Sequence, residues 1–285
     1  MLTILFDGVS TGMLLFVLAC GLAVTLGLMN FVNLAHGAFA MAGGYVTVVA
    51  MQRFGVPFLA TLPLAFAVTA LAGLVLERLL YRHLYGRAHL DQVLFSIGLV
   101  FMAMAGMNWF MGSSPQNVQL PPELKGRFDL FGIGIGRYRL FLVVVCGVLA
   151  LGLQTILART RFGSRLRAAV DDRRVARGLG IPVEVIFALT FAVGSGLAGL
   201  GGALGAEILG LDPSFPVKYM IFFLIVVTVG GSSSIVGPFV AALALGIADV
   251  AGKYFVPQLG SFVIYALMIA LLIWRPNGLF ARPGR

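Results

Sequence analysis

The sequence is short of charge. Only 11% of its 285 residues are Asp, Glu, Lys or Arg, against about 25% in ordinary soluble domains, and its mean hydropathy is +1.01. Such a chain belongs in a membrane. Cysteine is scarce too: Cys20 and Cys146 both fall in apolar runs, where a free thiol is a small hydrophobe and carries no information on redox compartment. Of three histidines only His36 lies in an apolar region, so a metal site lacks its set of ligands. No G-x-x-x-x-G-K-[ST] phosphate loop occurs. Ser195, in Val-Gly-Ser-Gly, lacks the fuller nucleophile motif and an assignable base, which argues against intramembrane proteolysis and against an enzyme. The first ten residues contain Asp7 and no Lys or Arg. A cleavable signal peptide is therefore not expected, and the first helix should stay.

What is present is a series of apolar runs of about 15 to 25 residues, suited to helices rather than to the short alternating strands of a membrane barrel. The expectation is one all-α polytopic membrane domain over 1–285, with eight or nine transmembrane segments. The net charge of +9 would suggest nucleic acid in a soluble protein. Here arginines crowd beside apolar runs, which the positive-inside rule explains, and no stacking-aromatic groove accompanies them. No nucleic-acid partner is expected.

Gly8–Met29 reads as the first span. It is followed by Asn30, Asn33, His36 and Gly37, then by a short apolar run to Met51. Polar residues and a glycine between two apolar runs predict a helix interruption at or within the membrane, tolerated only when buried in protein or lining a cavity. Spans follow at Phe58–Leu76, Asp91–Gly112 and Leu140–Ala158, with a polar, Pro- and Gly-rich loop at 113–139. Val185–Leu209 is a small-residue helix whose Gly201 and Gly205 suit close backbone approach. A second interruption, Gly230, Gly231, Ser232, Ser233, Ser234 and Gly237, separates Tyr219–Val229 from Ile235–Val250, and Leu259–Trp274 is the last span. The two interruptions share an architecture and, by alternation, an orientation. Interrupted segments in corresponding positions point to a translocation path. Asn30, Asn33 and the three serines either satisfy the breaks or line that path, and His36 either packs a hinge or touches substrate.

The densest polar stretch is 159–184, which holds seven of the 20 basic residues. With the loop after Leu76 (Arg78, Arg82, Arg87) it should face the cytoplasm, placing the N-terminus outside and the C-terminus inside. Ser164 is a candidate N-cap. Leu166, Ala169, Val170 and Ala176 form an apolar stripe at helical spacing, and Gly178, Gly180 and Pro182 stop the helix. The spacing predicts one short amphipathic helix, Ser164–Gly178, lying on anionic lipid or docked in a partner's groove.

Four stretches resemble a known family. Gly27-Leu-Met-Asn-Phe-Val-Asn-Leu-Ala-His36-Gly37-Ala-Phe-Ala-Met-Ala-Gly-Gly-Tyr45 is similar to the "INFAHG…GAY" signature of branched-chain amino-acid ABC importer permeases of the LivH type. Arg167–Ile181 resembles that family's inner loop, R-A-x-x-x-D-x-x-x-A-x-x-x-G-I. Phe191–Ala206 and Gly230–Gly237 resemble two more of its motifs, the last with Ser233 where "GGxGS" has its third glycine, the final serine kept as Ser234. The similarity spans nearly the whole chain, and its length suits LivH better than the longer LivM. The resemblance implies a bacterial inner-membrane subunit with a second, LivM-like permease, two cytoplasmic ATP-binding subunits and a periplasmic substrate-binding protein. ATP and magnesium would sit on the ATP-binding subunits, with no cofactor in this chain. The inner loop would couple to them through Ser164, Arg165, Arg167, Ala169, Asp172, Ala176 and Gly180. The family implies leucine, isoleucine and valine as cargo, with urea, amides or other amino acids in relatives. The alternative from another class is a stand-alone secondary transporter or channel.

Overall fold

The computed structural model describes residues 1–29, 31–130, 133–231, 235–276 and 278–280. The chain is almost wholly helical. In order it forms α1 (Leu2–Met29), α2 (His36–Phe54), α3 (Phe58–Leu79), α4 (His89–Met111), β1 (Arg127–Leu130), β2 (Ile133–Gly136), α5 (Arg137–Arg159), α6 (Arg161–Asp171), α7 (Arg173–Gly178), α8 (Val183–Leu209), α9 (Phe215–Gly230), α10 (Val236–Phe255) and α11 (Gly260–Trp274). Six of these helices, α1, α3, α4, α5, α8 and α10, are long and apolar enough to cross a membrane. The shorter apolar helices α9 and α11, together with α2, complete the polytopic bundle among the described residues.

The centre of the bundle is α8, packed against α1, α2 and α3, with α10 on the far side of α1 and α9 and α11 beside α10. Hydrophobicity does not order helices in lipid, because acyl chains are as apolar as leucine. Close packing of small residues does. Gly43 of α2 lies against the backbone of Gly199 in α8, Gly202 against the carbonyl of Ala40, and Gly246 of α10 against Gly12 of α1. In each pair a Cβ would fall inside the neighbouring backbone. Around this centre α3, α4 and α5 leave most of their surface uncovered.

The polar loop 113–139 contains a feature that the sequence reading did not anticipate. β1 and β2 pair antiparallel, with Phe128 opposite Ile135, and the Arg137 N–H donates to the Gly126 carbonyl at 3.1 Å to close the hairpin. Gly126, at φ +87°, makes the turn into it. The same loop is tied to the α8–α9 turn by Gln116 N–H to Leu211 O, 2.7 Å. At the other end of the bundle the two arginine-bearing loops do share a face. Arg173 Nη1 donates to the Tyr85 carbonyl at 3.5 Å.

Candidate translocation path and coupling face

The first break is a compact hydrogen-bonded knot. The Thr25 hydroxyl donates back to the Gly21 and Leu22 carbonyls at 3.2 Å each, and the Phe31 N–H reaches the Thr25 carbonyl at 3.1 Å. The Asn33 side-chain oxygen accepts from the Ala35 N–H at 3.0 Å and from the Tyr81 hydroxyl at 3.1 Å. Val32 N–H donates to Gln92 Oε1 at 3.1 Å, while Gln92 Nε2 donates to the carbonyls of Leu84 and Arg87 at 3.2 Å. The break is thus latched to the loop between α3 and α4. Its backbone, denied α-helical partners, finds others, as buried polar groups must.

His36 opens α2, with Nδ1 3.0 Å from the Asn33 carbonyl. Its ring fills a slot between α1 and α8. A Cβ on Gly21 would fall 2.6 Å from His36 Cδ2, and one on Gly194 would fall 3.7 Å from Nε2. Phe39 and Phe191 flank it, with ring centroids at 6.2 and 6.4 Å. Gly194 is near the middle of α8, so the two halves of the break meet well inside the bundle. His36 and Asn33 are buried, and His36 Nε2 and Asn33 Nδ2 have no hydrogen-bond partner among the described residues. Gly37 brings the start of α2 against α9, where a Cβ would press on Pro216 Cα at 2.9 Å. Asn30 lies outside the described residues.

The second break lies between α9 and α10. Gly231 has φ +84°, a left-handed conformation that costs glycine little. Gly230 and Gly237 face each other so closely that a Cβ on either would enter the other's backbone. Ser232, Ser233 and Ser234 lie outside the described residues. The chain's own C-terminal segment closes this break: Leu279 N–H donates to the Val229 carbonyl at 2.8 Å, and Gly278 packs against Gly231. The sequence reading missed this strap, although Gly278, at φ +87°, after the last span was a turn signal. The two breaks do not adjoin. They sit at opposite ends of α9, where Pro216 to Gly230 spans about 21 Å at 1.5 Å per residue.

The arginine-rich island differs from the sequence expectation in three ways. Its helix begins a turn earlier, at Arg161, and the N-cap is Thr160, whose hydroxyl accepts from the Gly163 N–H at 3.4 Å. Ser164 instead lies within α6 and donates to Arg161 O at 3.0 Å. The reason is Gly163: it rests on the Leu157 carbonyl, where no Cβ fits, so α6 folds straight back on α5. Second, 164–178 is two helices. The Asp172 carboxylate accepts from Arg174 N–H at 2.8 Å and Val175 N–H at 2.9 Å, which ends α6 and caps α7. Gly180, at φ +77°, ends α7 with a bond from Ile181 N–H to Ala176 O, 3.0 Å.

Third, the apolar stripe is covered by this chain's own bundle. Leu166, Ala169 and Ala176 are buried, with α6 packed on α5, α8 and α1. Arg167 turns inward at its tip, donating to the Leu157 carbonyl at the end of α5, as cations favour helix C-termini. Arg167 is nonetheless exposed along its length, as are Ser164, Arg165, Asp172 and Gly180. So are two apolar residues that the stripe did not include, Val175 at 57% and Leu179 at 74% exposure.

At the start of α7, the Arg173 guanidinium sits over two aromatic rings, its Cζ 4.8 Å from the Phe187 centroid and 5.6 Å from that of Tyr85. Burial pulls its guanidinium below the ordinary value, with Tyr85 pushing the other way. Burial and then the Glu77 carboxylate push the Tyr85 hydroxyl above its usual range.

Residues 4–272 match the family model described as "Branched-chain amino acid transport system / permease component". The chain belongs to this branched-chain amino acid transport permease family. The permease is 30% identical to the high-affinity branched-chain amino acid transport system permease protein BraD of Pseudomonas aeruginosa, over 98% of this chain and 95% of that one. It is 26% identical to LivH of Escherichia coli, again over 98% and 95%. With LivM of Escherichia coli the identity is 28%, over 94% of this chain but 68% of the relative, so the permease has the LivH length. No solved structure matches it. A multi-pass membrane permease of LivH type therefore carries both breaks and the exposed α6–α7 face.

Proposed function

We propose that this permease is the membrane subunit of an ATP-driven importer in a bacterial inner membrane, moving branched-chain amino acids inward. The observation that carries the reading is the α6–α7 hairpin. It satisfies its own apolar stripe inside the bundle and still presents Val175 and Leu179 on the arginine-rich face, with Arg165 and Arg174 exposed on the same two helices. Exposed apolar anchors within a charged rim are what a docking helix offers a groove. By the positive-inside rule this face is cytoplasmic, with the N-terminus outside and the C-terminus inside.

In this reading two ATP-binding subunits hold ATP and magnesium and grip α6–α7. A second, LivM-like permease completes the path, and a periplasmic binding protein delivers and selects the cargo, amino acids other than the branched-chain ones, urea or amides included among those its ligand profile would reveal. Ser164, Arg165, Asp172 and Gly180 belong to the docking face; buried Ala169 and Ala176, and the tip of the exposed Arg167, hold it to the bundle. ATP binding shifts the permease pair between two states, and the glycine-lined breaks at His36–Gly37 and Gly230–Gly237 are where the backbone gives.

The test is Val175→Asp with Leu179→Asp in the assembled transporter. Both side chains are exposed, so the chain should keep its thermal midpoint while losing co-purification with the ATP-binding subunits and at least 10-fold in ATP-driven leucine uptake. Normal uptake by the double variant, or leucine uptake by the permease alone in liposomes, overturns the proposal.

A further inference from the structure

On the arginine-rich face a cavity of about 330 Å³ opens between the end of α3, the loop after it, and α7–α8. It has no place in the path or the docking face. Its floor carries Glu77, only 2% exposed. One carboxylate oxygen of Glu77, Oε1, accepts from the Tyr85 hydroxyl at 2.9 Å. The other, Oε2, is buried with no hydrogen bond among the described residues; it is ion-paired with Arg78 Nε at 3.9 Å. A carboxylate oxygen without a hydrogen-bond donor in a native interior calls for an explanation, because burying it so is costly. Phe187 and Val183 supply apolar wall.

The cations around the cavity are unequally engaged. Arg177 is paired with Glu184, and Arg173 is spread over Phe187 and Tyr85. Arg82, exposed on the lining, makes no hydrogen bond or ion pair among the described residues. The cavity thus offers a buried acceptor for a cationic N–H donor and, toward its mouth, guanidinium groups for an oxyanion, the pairing that arginine serves best.

We infer that this cavity binds a small group carrying a primary ammonium beside an oxyanion, with the ammonium on Glu77 Oε2 and the oxyanion on Arg82 and Arg78. Two sources share that chemistry: a free α-amino acid, and the ethanolamine phosphate headgroup of a lipid. Using leucine as the first probe rests on the importer reading; the chemistry of the cavity does not. An occupant would bridge the loop after α3 to α7, the helix that bears Val175.

The experiment uses the full chain in nanodiscs of phosphatidylcholine, which has no primary amine, and radiolabelled L-leucine. Wild type should bind leucine, while leucinol, lacking the carboxylate, and 4-methylpentanoate, lacking the amine, should compete at least 10-fold more weakly. Glu77→Gln and Arg82→Ala should each weaken binding at least 10-fold. Arg82 is exposed and makes no hydrogen bond or ion pair among the described residues, so its variant keeps the fold if Glu77→Gln does not. For the lipid source, native mass spectrometry of chain taken from phosphatidylethanolamine membranes should show that lipid retained by wild type and released by Arg82→Ala. Retention of neither leucine nor the lipid overturns the inference. So does retention that both variants leave unchanged. The importer reading fails separately, on uptake.

Discussion

Two helices of this bundle, α8 and α4, are equally apolar, yet 78% of the apolar stretch of α8 is buried and only 11% of that of α4. Hydropathy put both in the membrane and could not say which belongs in the middle. Their glycines differ, not in number alone but in surroundings. A Cβ on Gly196, Gly199, Gly201 or Gly202 of α8 meets a neighbouring helix, whereas one on Gly98 or Gly106 of α4 meets nothing within 4 Å. A glycine in lipid marks an interface only where another helix comes to meet it.

The largest effect that would break this contrast is at Gly202. A Cβ there enters the Ala40 backbone, which cannot turn aside as a side chain can, so Gly202→Val should cost about 3 kcal/mol or more. In detergent the variant should lose its monodisperse size-exclusion peak. A wild-type profile would mean that α2 and α8 have room to part.

An intermediate test concerns how the rim is held. Tyr138, at the start of α5, donates its hydroxyl to the Leu204 carbonyl of α8 at 2.5 Å, buried. Tyr138→Phe should lower stability by about 1 kcal/mol, read as a fall in the thermal unfolding midpoint with the oligomeric profile unchanged. No fall would leave α5 held by apolar contact alone.

The smallest effect should have the opposite sign. Gly98→Ala and Gly106→Ala remove helix-interior glycines with open space around them and should each stabilise by about 0.5–1 kcal/mol. If either destabilises, the outer face of α4 is an interface, the second permease being the first surface to map against it by crosslinking.

The same contrast explains what could be read beforehand. The breaks were legible because Asn33, His36 and Gly37, or Gly230 and Gly231, have no place in an uninterrupted apolar helix. The island was legible as helical and amphipathic, but Leu166, Ala169 and Ala176 revealed only that they would be covered. Whether lipid, a partner or this chain covers them is not written in a periodicity, and Gly163 settled it by bringing α6 onto Leu157. Ser164 looked like a cap because a serine before an apolar run is one, while Thr160 held the better position. The C-terminal strap on Val229 and the cavity over Glu77 had no periodic signature at all.

The sequence alone determined the solvent. Sparse charge and long apolar runs commit the chain to a helical membrane bundle, and arginine placement puts two loops on one face, since both follow from the cost of moving charge and bare backbone into hydrocarbon. Tertiary structure alone decided which apolar helix is central, how His36 is wedged between Gly21 and Gly194, and which oxygen of Glu77 lacks a hydrogen-bond donor. Lipid is as apolar as any leucine, so partition cannot rank one apolar helix above another. Only shape, at the few places where backbones can touch, does that.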